Sequence, residues 1–414
     1  MVKNTRAQTT KGKEISNFKT NSFASILAVG LKSLAPLLIL LILTSKLGVL
    51  FYGEYVILLS LFSIFILLAD VGLSMEIPKR ISKVKNDLHA ICEYATLFLV
   101  IKSAISLVLS FIIFFLVDGT LFLKIIIIIC LFLKNIDPEI LFIGLEKYSF
   151  IARINLISKV LHLLLLLIID LNINGLEKVF LIQLCIFLVT NILYYYTLSN
   201  KLKLRLRFMS ISKSIKFMRS SIEFYFARFF QNLYIQGSTY ALSFSLPLNA
   251  VAIYSIALDF FKVGNTIIGS IGLVLFTTLN ATRNFILLKK VTLICLLAQL
   301  CMLPVIYFIG GHVLTIMFDF DIHLLYELSI IFYITLVFSI INSFWGYPVF
   351  SAINKDRLGH FSMILMAVIY WSLLLSLYLS GNITIFAAVL CIVAAEFVGT
   401  VIRLIFAVEN KILP

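Results

Sequence analysis

Charged residues are scarce in this sequence. Only 13% of its 414 residues are charged and 61% are hydrophobic, whereas soluble domains have about 25% charged and about 45–50% apolar residues. The mean hydropathy is +1.08. Segments of alternating polarity, which are typical of membrane β-barrels, are lacking, and the chain has continuous apolar runs such as 125–129 and 163–169. The composition excludes a soluble protein and predicts an all-α polytopic membrane protein, because a helix pairs its own backbone groups in lipid.

Cysteine and histidine are also few, and their spacing does not match a metal site or a disulfide framework. The six cysteines lie in apolar runs without any C-x-x-C pair, and the five histidines have no ligand spacing. Free cysteines inside apolar segments behave as small hydrophobic side chains. We therefore expect no bound metal and no cofactor.

Sequence motifs of enzymes are missing as well. The chain has no phosphate-binding loop of the G-x-x-x-x-G-K-[ST] type, no H-E-x-x-H zinc motif and no G-x-S-x-G nucleophile elbow. The predicted extracytoplasmic loops are short, whereas a membrane-embedded polymerase usually needs a large outer loop to hold its acceptor sugar. The sequence therefore predicts a protein that is not an enzyme and does not hydrolyse nucleotides.

What the chain does have is a succession of long apolar runs. Each is close to or above the roughly 20 residues that a helix needs to cross the hydrocarbon core. The twelve predicted spans are residues 22–43, 50–73, 92–117, 121–144, 153–171, 178–199, 220–243, 249–279, 290–310, 325–349, 361–380 and 383–408. The basic stretch 201–216 separates six spans from six, which predicts two six-helix bundles, 1–200 and 201–414. In transporters built from such repeats, the substrate binds at the interface of the two halves.

Basic residues are distributed unequally between the two sides of the membrane. If the N-terminus is inside, 24 of the 34 lysines and arginines fall on the cytoplasmic side, and only Lys46, Lys124 and Lys178 fall on the other. Lysine and arginine accumulate in cytoplasmic loops, so both termini are predicted to be cytoplasmic. The same loops account for most of the net charge of +14. We therefore expect membrane lipids as partners of the basic surface and no nucleic acid.

Several basic residues lie inside predicted spans, and four of them are candidates for a site. A basic side chain near the bilayer centre costs roughly 2.5–3.5 kcal/mol, so it usually has a partner or a function. Lys32 and Lys102 have no acid within a turn of their own helices, and we expect both to be unpaired. Lys262 follows Asp259 by three residues, so an ion pair is as plausible there as a substrate contact. The residues predicted to line a cavity for an anionic substrate are Lys32, Lys102, Arg228, Lys262, Gln231 and Asn232.

Acidic residues also occur within the predicted spans. Carboxylates in membrane spans often relay protons in transporters. Some of them can instead neutralise a basic neighbour, as Asp137 does if it pairs with Lys134, three residues before it. The candidates for coupling to H⁺ or Na⁺ are Asp70, Asp137, Glu139, Glu223, Asp259 and Glu396.

Two stretches of the chain carry motifs. Residues 137–147 read DPEILFIGLEK, and residues 47–55, LGVLFYGEY, lead to LADVGL at 68–73. With the chain length, the span count and the division into halves, these motifs resemble the Wzx-type O-antigen flippases. These flippases form the polysaccharide-transport branch of the MOP superfamily, which also includes the MATE exporters. Ile140 and Ile143 depart from the pattern, because the flippases often have an aromatic residue and a glutamine there.

The resemblance implies a V-shaped pair of six-helix bundles that alternates between inward-open and outward-open states. It also implies an undecaprenyl-diphosphate-linked oligosaccharide as substrate, moved from the cytoplasmic to the periplasmic leaflet of the bacterial inner membrane. A polysaccharide polymerase and a chain-length regulator are the expected protein partners. Two alternatives remain open: a MATE-like multidrug or cation antiporter, which would need an unpaired acid in its cavity, and a membrane-embedded polysaccharide polymerase.

Overall fold

The computed structural model describes the backbone of residues 2–85, 87–201, 205–318, 320, 322–410 and 412. The side chains of these residues are described except at 2–34, 201, 223, 224, 227, 228, 231, 277, 281, 282 and 356. Within this part of the chain the secondary structure consists of fifteen α-helices and one short π-helical turn, Thr197–Lys201, without any strand. The predicted all-α fold class is confirmed.

The helices follow one another with short connections. In chain order they are α1 (Val2–Asp70), α2 (Leu73–Lys83), α3 (Leu88–Leu116), α4 (Leu121–Asn135), α5 (Glu139–Gly144), α6 (Tyr148–Ile168), α7 (Gly175–Tyr196), α8 (Ile211–Gln236), α9 (Ser238–Leu242), α10 (Leu248–Thr282), α11 (Phe285–Met317), α12 (His323–Phe344), α13 (Tyr347–Ala352), α14 (Asp356–Leu379) and α15 (Ile385–Glu409).

Nine helices of the described residues are long and apolar enough to cross a membrane. The predicted spans fall largely in helical structure, but four regions differ in detail from the prediction. The spans 22–43 and 50–73 lie almost entirely in α1. Three spans are each divided between two helices: 121–144 between α4 and α5, 220–243 between α8 and α9, and 325–349 between α12 and α13. The chain is thus a multi-pass membrane protein, and the number of twelve crossings stays a prediction.

The apolar surface agrees with a lipid environment. Phe308 and Ile316 of α11 are 72% and 86% exposed, and Ile168 at the end of α6 is 77% exposed. Large apolar side chains at such exposure are costly in water, whereas hydrocarbon solvates them. These helix faces therefore belong against the lipid chains.

A glycine interrupts α1 between the first two predicted spans. Gly48 has φ 80° and ψ 172°, which is not helical. Residues with a Cβ are disfavoured at this positive φ, so glycine is the residue that allows the chain to change direction here. The Leu47-Gly48 element of the first motif therefore has a backbone role.

The DPE element of the second motif separates α4 from α5. Pro138 has no N–H to donate, and a proline disfavours helical geometry in the residue before it. Just before α5, the Asp137 Oδ1 accepts a hydrogen bond of 3.0 Å from the N–H of Glu139, the first residue of that helix. The helix α5 ends at Gly144, and the Lys147 N–H donates to the Phe142 carbonyl at 3.0 Å.

Gly144 brings α5 into close contact with α2. A Cβ at this position would lie 2.8 Å from the Ile81 Cβ and 3.0 Å from the Pro78 Cα, which is backbone and does not move easily. Overpacking of this kind typically costs about 1–3 kcal/mol. We therefore expect Gly144→Ala to lower the free energy of unfolding by that amount, measured by denaturation of the purified protein in detergent.

Gly269 of α10 provides the control for this prediction. A Cβ there would have no neighbour within 4 Å, and alanine is the better helix former by about 0.5–1 kcal/mol. Gly269→Ala should leave the stability unchanged or raise it. Equal effects of the two substitutions would show that the contact between α5 and α2 is not tight.

The chain forms two compact units, which are described separately below. Unit 1 consists of Met1–Ala35, Ala69–Asp170 and Glu177–Phe224, and unit 2 of Pro36–Leu68, Leu171–Leu176 and Tyr225–Pro414. The boundaries differ from 1–200 and 201–414, because residues 36–68 belong to unit 2 and residues 201–224 to unit 1. The functional division into two six-helix halves stays a prediction.

Each unit has its own core. In unit 1 the ring of Phe142 lies 4.9 Å from that of Phe150 and 5.1 Å from that of Tyr194, so α5, α6 and α7 meet there. In unit 2 the rings of Phe261 and Phe332 are 5.1 Å apart and join α10 to α12. Both cores lie beside the charged groups that the sequence singles out.

Candidate functional site

In unit 1, Lys102 forms an ion pair within the apolar part of the fold. Lys102 lies on α3 and is 6% exposed, and its Nζ is 3.3 Å from the Asp70 Oδ1 at the end of α1. Asp70 also accepts a hydrogen bond of 2.8 Å from the Ser74 Oγ. The expectation that Lys102 is unpaired is therefore wrong. Its partner comes from another helix, which the spacing of acids along α3 does not reveal.

A second ion pair in unit 1 lies at the junction between α4 and α5. The Lys134 Nζ is 2.8 Å from the Asp137 Oδ2, so the predicted pair is confirmed. Lys134 is close enough to Lys102 for the two positive charges to repel each other. The Tyr195 hydroxyl of α7 donates to the Ile136 carbonyl at 2.5 Å and joins α7 to this junction. Lys102 and Lys134 of unit 1 thus each lie beside an acidic group.

Several side chains of unit 1 have a buried polar atom without a hydrogen-bond partner among the described residues. An unpaired buried polar group typically costs about 1–3 kcal/mol. They are Ser106, Ser110, Asn135, Asn155, His162 and Tyr194. None of these residues was predicted to belong to a site. An amide or an imidazole inside an apolar run would have pointed to Asn135, Asn155 and His162, because polar side chains within membrane spans usually have a function. The interior of unit 1 is therefore polar along α3, α4, α6 and α7.

In unit 2, Lys262 is paired on α10. Its Nζ is 2.8 Å from the Asp259 Oδ1, and the Tyr52 hydroxyl donates to the Asp259 Oδ2 at 3.1 Å. The predicted ion pair is thus confirmed. Tyr52 belongs to the first motif, so this motif also fixes the position of α1 on α10 within unit 2.

The hydrogen bond from Tyr52 gives a prediction about stability. Tyr52 is 2% exposed, and a hydrogen bond to a charged group contributes about 1.5–3 kcal/mol. We expect Tyr52→Phe to lower the free energy of unfolding by about this amount, whereas Tyr378→Phe, at a 54% exposed tyrosine of α14, should have little effect. Denaturation in detergent measures both. Equal stabilities of the two variants would contradict the prediction.

The most buried acidic group of unit 2 is Glu396 on α15, with 4% exposure. Three neutral donors surround its carboxylate. The Tyr234 hydroxyl donates to Oε1 at 2.8 Å, the Asn342 Nδ2 donates to Oε2 at 2.7 Å, and the Ser339 Oγ is 3.3 Å from Oε2. Hydrogen bonds of this kind offset the desolvation of a buried carboxylate.

Arg403 lies further along α15 in the same region of unit 2. It is 2% exposed, and its Nε donates to the Ser362 Oγ at 3.0 Å. Glu396 has no basic side chain within 4.0 Å among the described residues. The charge of Arg403 nonetheless attracts that of Glu396 over a longer distance. Among the described residues, the direct side-chain partners of Glu396 are therefore all neutral.

The other predicted residues are placed as follows. Asp137 and Glu139 lie at the α4–α5 junction of unit 1, and Asn232 lies half-buried on α8 in unit 2. The side chains of Lys32, Glu223, Arg228 and Gln231 lie outside the described residues. The structure therefore assembles two groups, one in each unit, and the assignment of these residues to substrate and ion binding stays a prediction.

The sequence matches one family of known proteins. The family model described as polysaccharide biosynthesis protein matches residues 18–282. No curated protein sequence matches the chain. The match includes both motifs, the charged groups of unit 1 and the part of unit 2 that contains Asp259 and Lys262.

Solved structures share the fold over nearly the whole chain. The outward-facing conformation of a multidrug resistance MATE family transporter of the MOP superfamily is 16% identical, with a TM-score of 0.68 over 95% of this chain and 96% of that one. An inward-facing conformation of such a transporter is 16% identical, with a TM-score of 0.66 over 94% and 95%. The eukaryotic MATE transporter AtDTX14 is 15% identical, with a TM-score of 0.64 over 95% and 96%. At these identities the likeness establishes the MATE fold.

Proposed function

Because the chain belongs to the family of polysaccharide biosynthesis proteins, we propose that it translocates undecaprenyl-diphosphate-linked repeat units of O-antigen or a related polysaccharide. The direction is from the cytoplasmic to the periplasmic leaflet of a bacterial inner membrane, by alternating access, with both termini in the cytoplasm. The MATE fold supports a transporter of the MOP type, and the family supports a glycan as its cargo.

The observation that carries this proposal is the buried basic group of unit 1. A diphosphate forms short, charge-assisted hydrogen bonds with an ammonium group, and Lys102 offers such a group inside the apolar part of the fold. Its Nζ is held by a single carboxylate oxygen of Asp70 at 3.3 Å. An anionic substrate therefore competes with Asp70 for Lys102.

The remaining predicted residues complete the proposed site. Lys32 and Arg228 are proposed as further contacts of the diphosphate, and Gln231 and Asn232 as contacts of the sugar. Lys262 is bound to Asp259, so its contribution to anion binding requires that this pair opens. A polymerase and a chain-length regulator remain the proposed protein partners.

A second candidate function is the antiport of cations, including drugs. It is favoured by Glu396, a buried carboxylate whose direct partners among the described residues are neutral. Carboxylates in membrane spans are typical sites for protons and cations. In a flippase the same group would serve ion coupling, so Glu396 by itself does not separate the two functions.

Deletion of the gene in its native host tests the proposal. We expect loss of the surface polysaccharide and accumulation of lipid-linked repeat units on the inner leaflet, which are measured by extraction and by accessibility to a glycosidase added from the cytoplasmic side. The intact gene should restore the polymer. Intact polysaccharide together with increased sensitivity to cationic drugs would support the antiporter and contradict the flippase.

A further inference from the structure

A cavity of about 710 Å³ lies in unit 1 beside the beginning of α3 and the first half of α8. Its walls are almost entirely apolar. The side chains that form them come from α3, from α8 and from the extended segment before α8, and they include Leu97, Val100, Ile101, Phe208, Ile215 and Met218. Among the described residues of the lining, one side chain is charged, that of Arg219. The cavity therefore combines an apolar interior with one basic group.

The segment before α8 is fixed to α3 by its backbone. The Arg207 N–H donates to the Thr96 Oγ1 at 2.8 Å, and the Arg205 N–H lies 3.4 Å from the Cys92 Sγ. The Arg207 side chain also contacts His89 and lies 3.9 Å from the Glu93 Oε1. Phe208 and Met209 of this segment line the cavity.

The same segment has the composition of a membrane-surface element. Leu206, Phe208 and Ile211 are 74%, 77% and 79% exposed, and basic residues occur between and after them. A segment with apolar side chains on one side and lysine or arginine on the other lies at the boundary of headgroups and acyl chains. The cavity is therefore placed where phospholipids are available.

The basic groups around the cavity lack an acidic partner among the described side chains. Lys213, Lys216 and Arg219 have no acidic side chain within 4.0 Å in the part of the chain that the structure describes. Basic residues at a membrane surface attract anionic headgroups. An amphiphile with one negative headgroup and an apolar chain matches both the charge and the lining of the cavity.

We propose that this cavity binds an anionic phospholipid, with an acyl chain between α3 and α8 and the phosphate at Arg219. The lipid joins the first half of α8 to α3, so its binding stabilises the folded unit by mass action. The proposal is independent of the translocated substrate, because the residues that carry it differ from those of the proposed substrate site.

Photolabelling of the full-length protein tests the proposal. The probe is phosphatidylglycerol with a photoactivatable group on the acyl chain, added to the protein in vesicles of phosphatidylcholine. We expect labelled peptides from residues 96–101 and 214–222, and we expect unlabelled phosphatidylglycerol, but not phosphatidylcholine, to remove the label. In Arg219→Gln, the concentration of unlabelled phosphatidylglycerol that removes half of the label should rise about fivefold. This change corresponds to about 1 kcal/mol of binding free energy.

Two matched control variants distinguish binding in the cavity from general effects of removing a charge or adding a large side chain. Arg357 is also exposed, and Arg357→Gln should leave the labelling unchanged. Val100→Trp fills the cavity and should remove the label, whereas Val108→Trp, on the same helix at a 63% exposed position outside the lining, should not. Both tryptophan variants are checked for folding by their elution as monodisperse protein.

Three results would overturn the proposal. The first is equal competition by phosphatidylcholine and phosphatidylglycerol. The second is an equal effect of Arg219→Gln and Arg357→Gln. The third is displacement of the label by undecaprenyl phosphate but not by phosphatidylglycerol, because the cavity would then belong to the path of the translocated lipid.

Discussion

Lys102→Met should lower transport of the lipid-linked substrate by about 100-fold or more. Removal of one partner from a buried, hydrogen-bonded charge pair costs about 2–5 kcal/mol, and about 2.8 kcal/mol corresponds to a factor of 100. The variant loses the ammonium group that is proposed to bind the diphosphate, and it leaves the Asp70 carboxylate without its basic partner. Transport is measured as the amount of surface polysaccharide restored in the deletion strain.

The double variant Lys102→Met/Asp70→Asn distinguishes a structural pair from a substrate contact. Both charges are removed, so the stability lost in Lys102→Met should return in large part, as judged by denaturation in detergent. If Lys102 binds the anionic substrate, transport stays low despite the recovered stability. Lys102→Arg keeps the positive charge and should retain more transport than Lys102→Met.

Lys290→Met serves as the control for these variants. Lys290 lies exposed on α11, and its replacement should leave transport within about twofold of that of the unchanged protein, because exposed charges contribute only about 0–1 kcal/mol. Full transport by the double variant would contradict the role of Lys102 in substrate binding. It would leave the ion pair with Asp70 as a structural feature.

The fold and the family were largely predictable from the sequence. Apolar runs of sufficient length predict the helices, which the structure forms. The two motifs support the predicted family, and the match to the polysaccharide biosynthesis family and the MATE fold agree with it. The residues of the two motifs act on the backbone next to them. Gly48 allows a positive φ, and Asp137 and Pro138 separate one helix from the next. Local rules of this kind are readable from spacing alone.

The charged groups were predictable only where both partners lie on one helix or at its end. The pairs Asp259–Lys262 and Lys134–Asp137 have a spacing of three residues, and both form. Lys102 and Asp70 are 32 residues apart in the sequence, so their pairing depends on how α1 and α3 pack. The same limit applies to Glu396, because Tyr234 is 162 residues away from it along the chain.

Glu396→Gln should abolish the dependence of transport on an ion gradient while the protein still folds. Glutamine keeps the size of the side chain and a hydrogen-bond acceptor for Asn342, but it carries neither a negative charge nor a titratable proton. If Glu396 couples transport to H⁺ or Na⁺, the gradient-driven rate in proteoliposomes should fall at least tenfold. The monodisperse elution of the purified variant should be retained.

Glu409→Gln is the matched control, because Glu409 lies on the same helix and is exposed. Its gradient-driven rate should equal that of the unchanged protein. Gradient-driven transport that persists in Glu396→Gln would contradict a coupling role and leave the carboxylate as a structural acceptor for Tyr234, Ser339 and Asn342. Loss of both transport and folding would also favour the structural role, because it would show that the hydrogen bonds of Glu396 are needed for the folded state. Only a coupling group is expected to lose the ion dependence of transport while the protein keeps its fold.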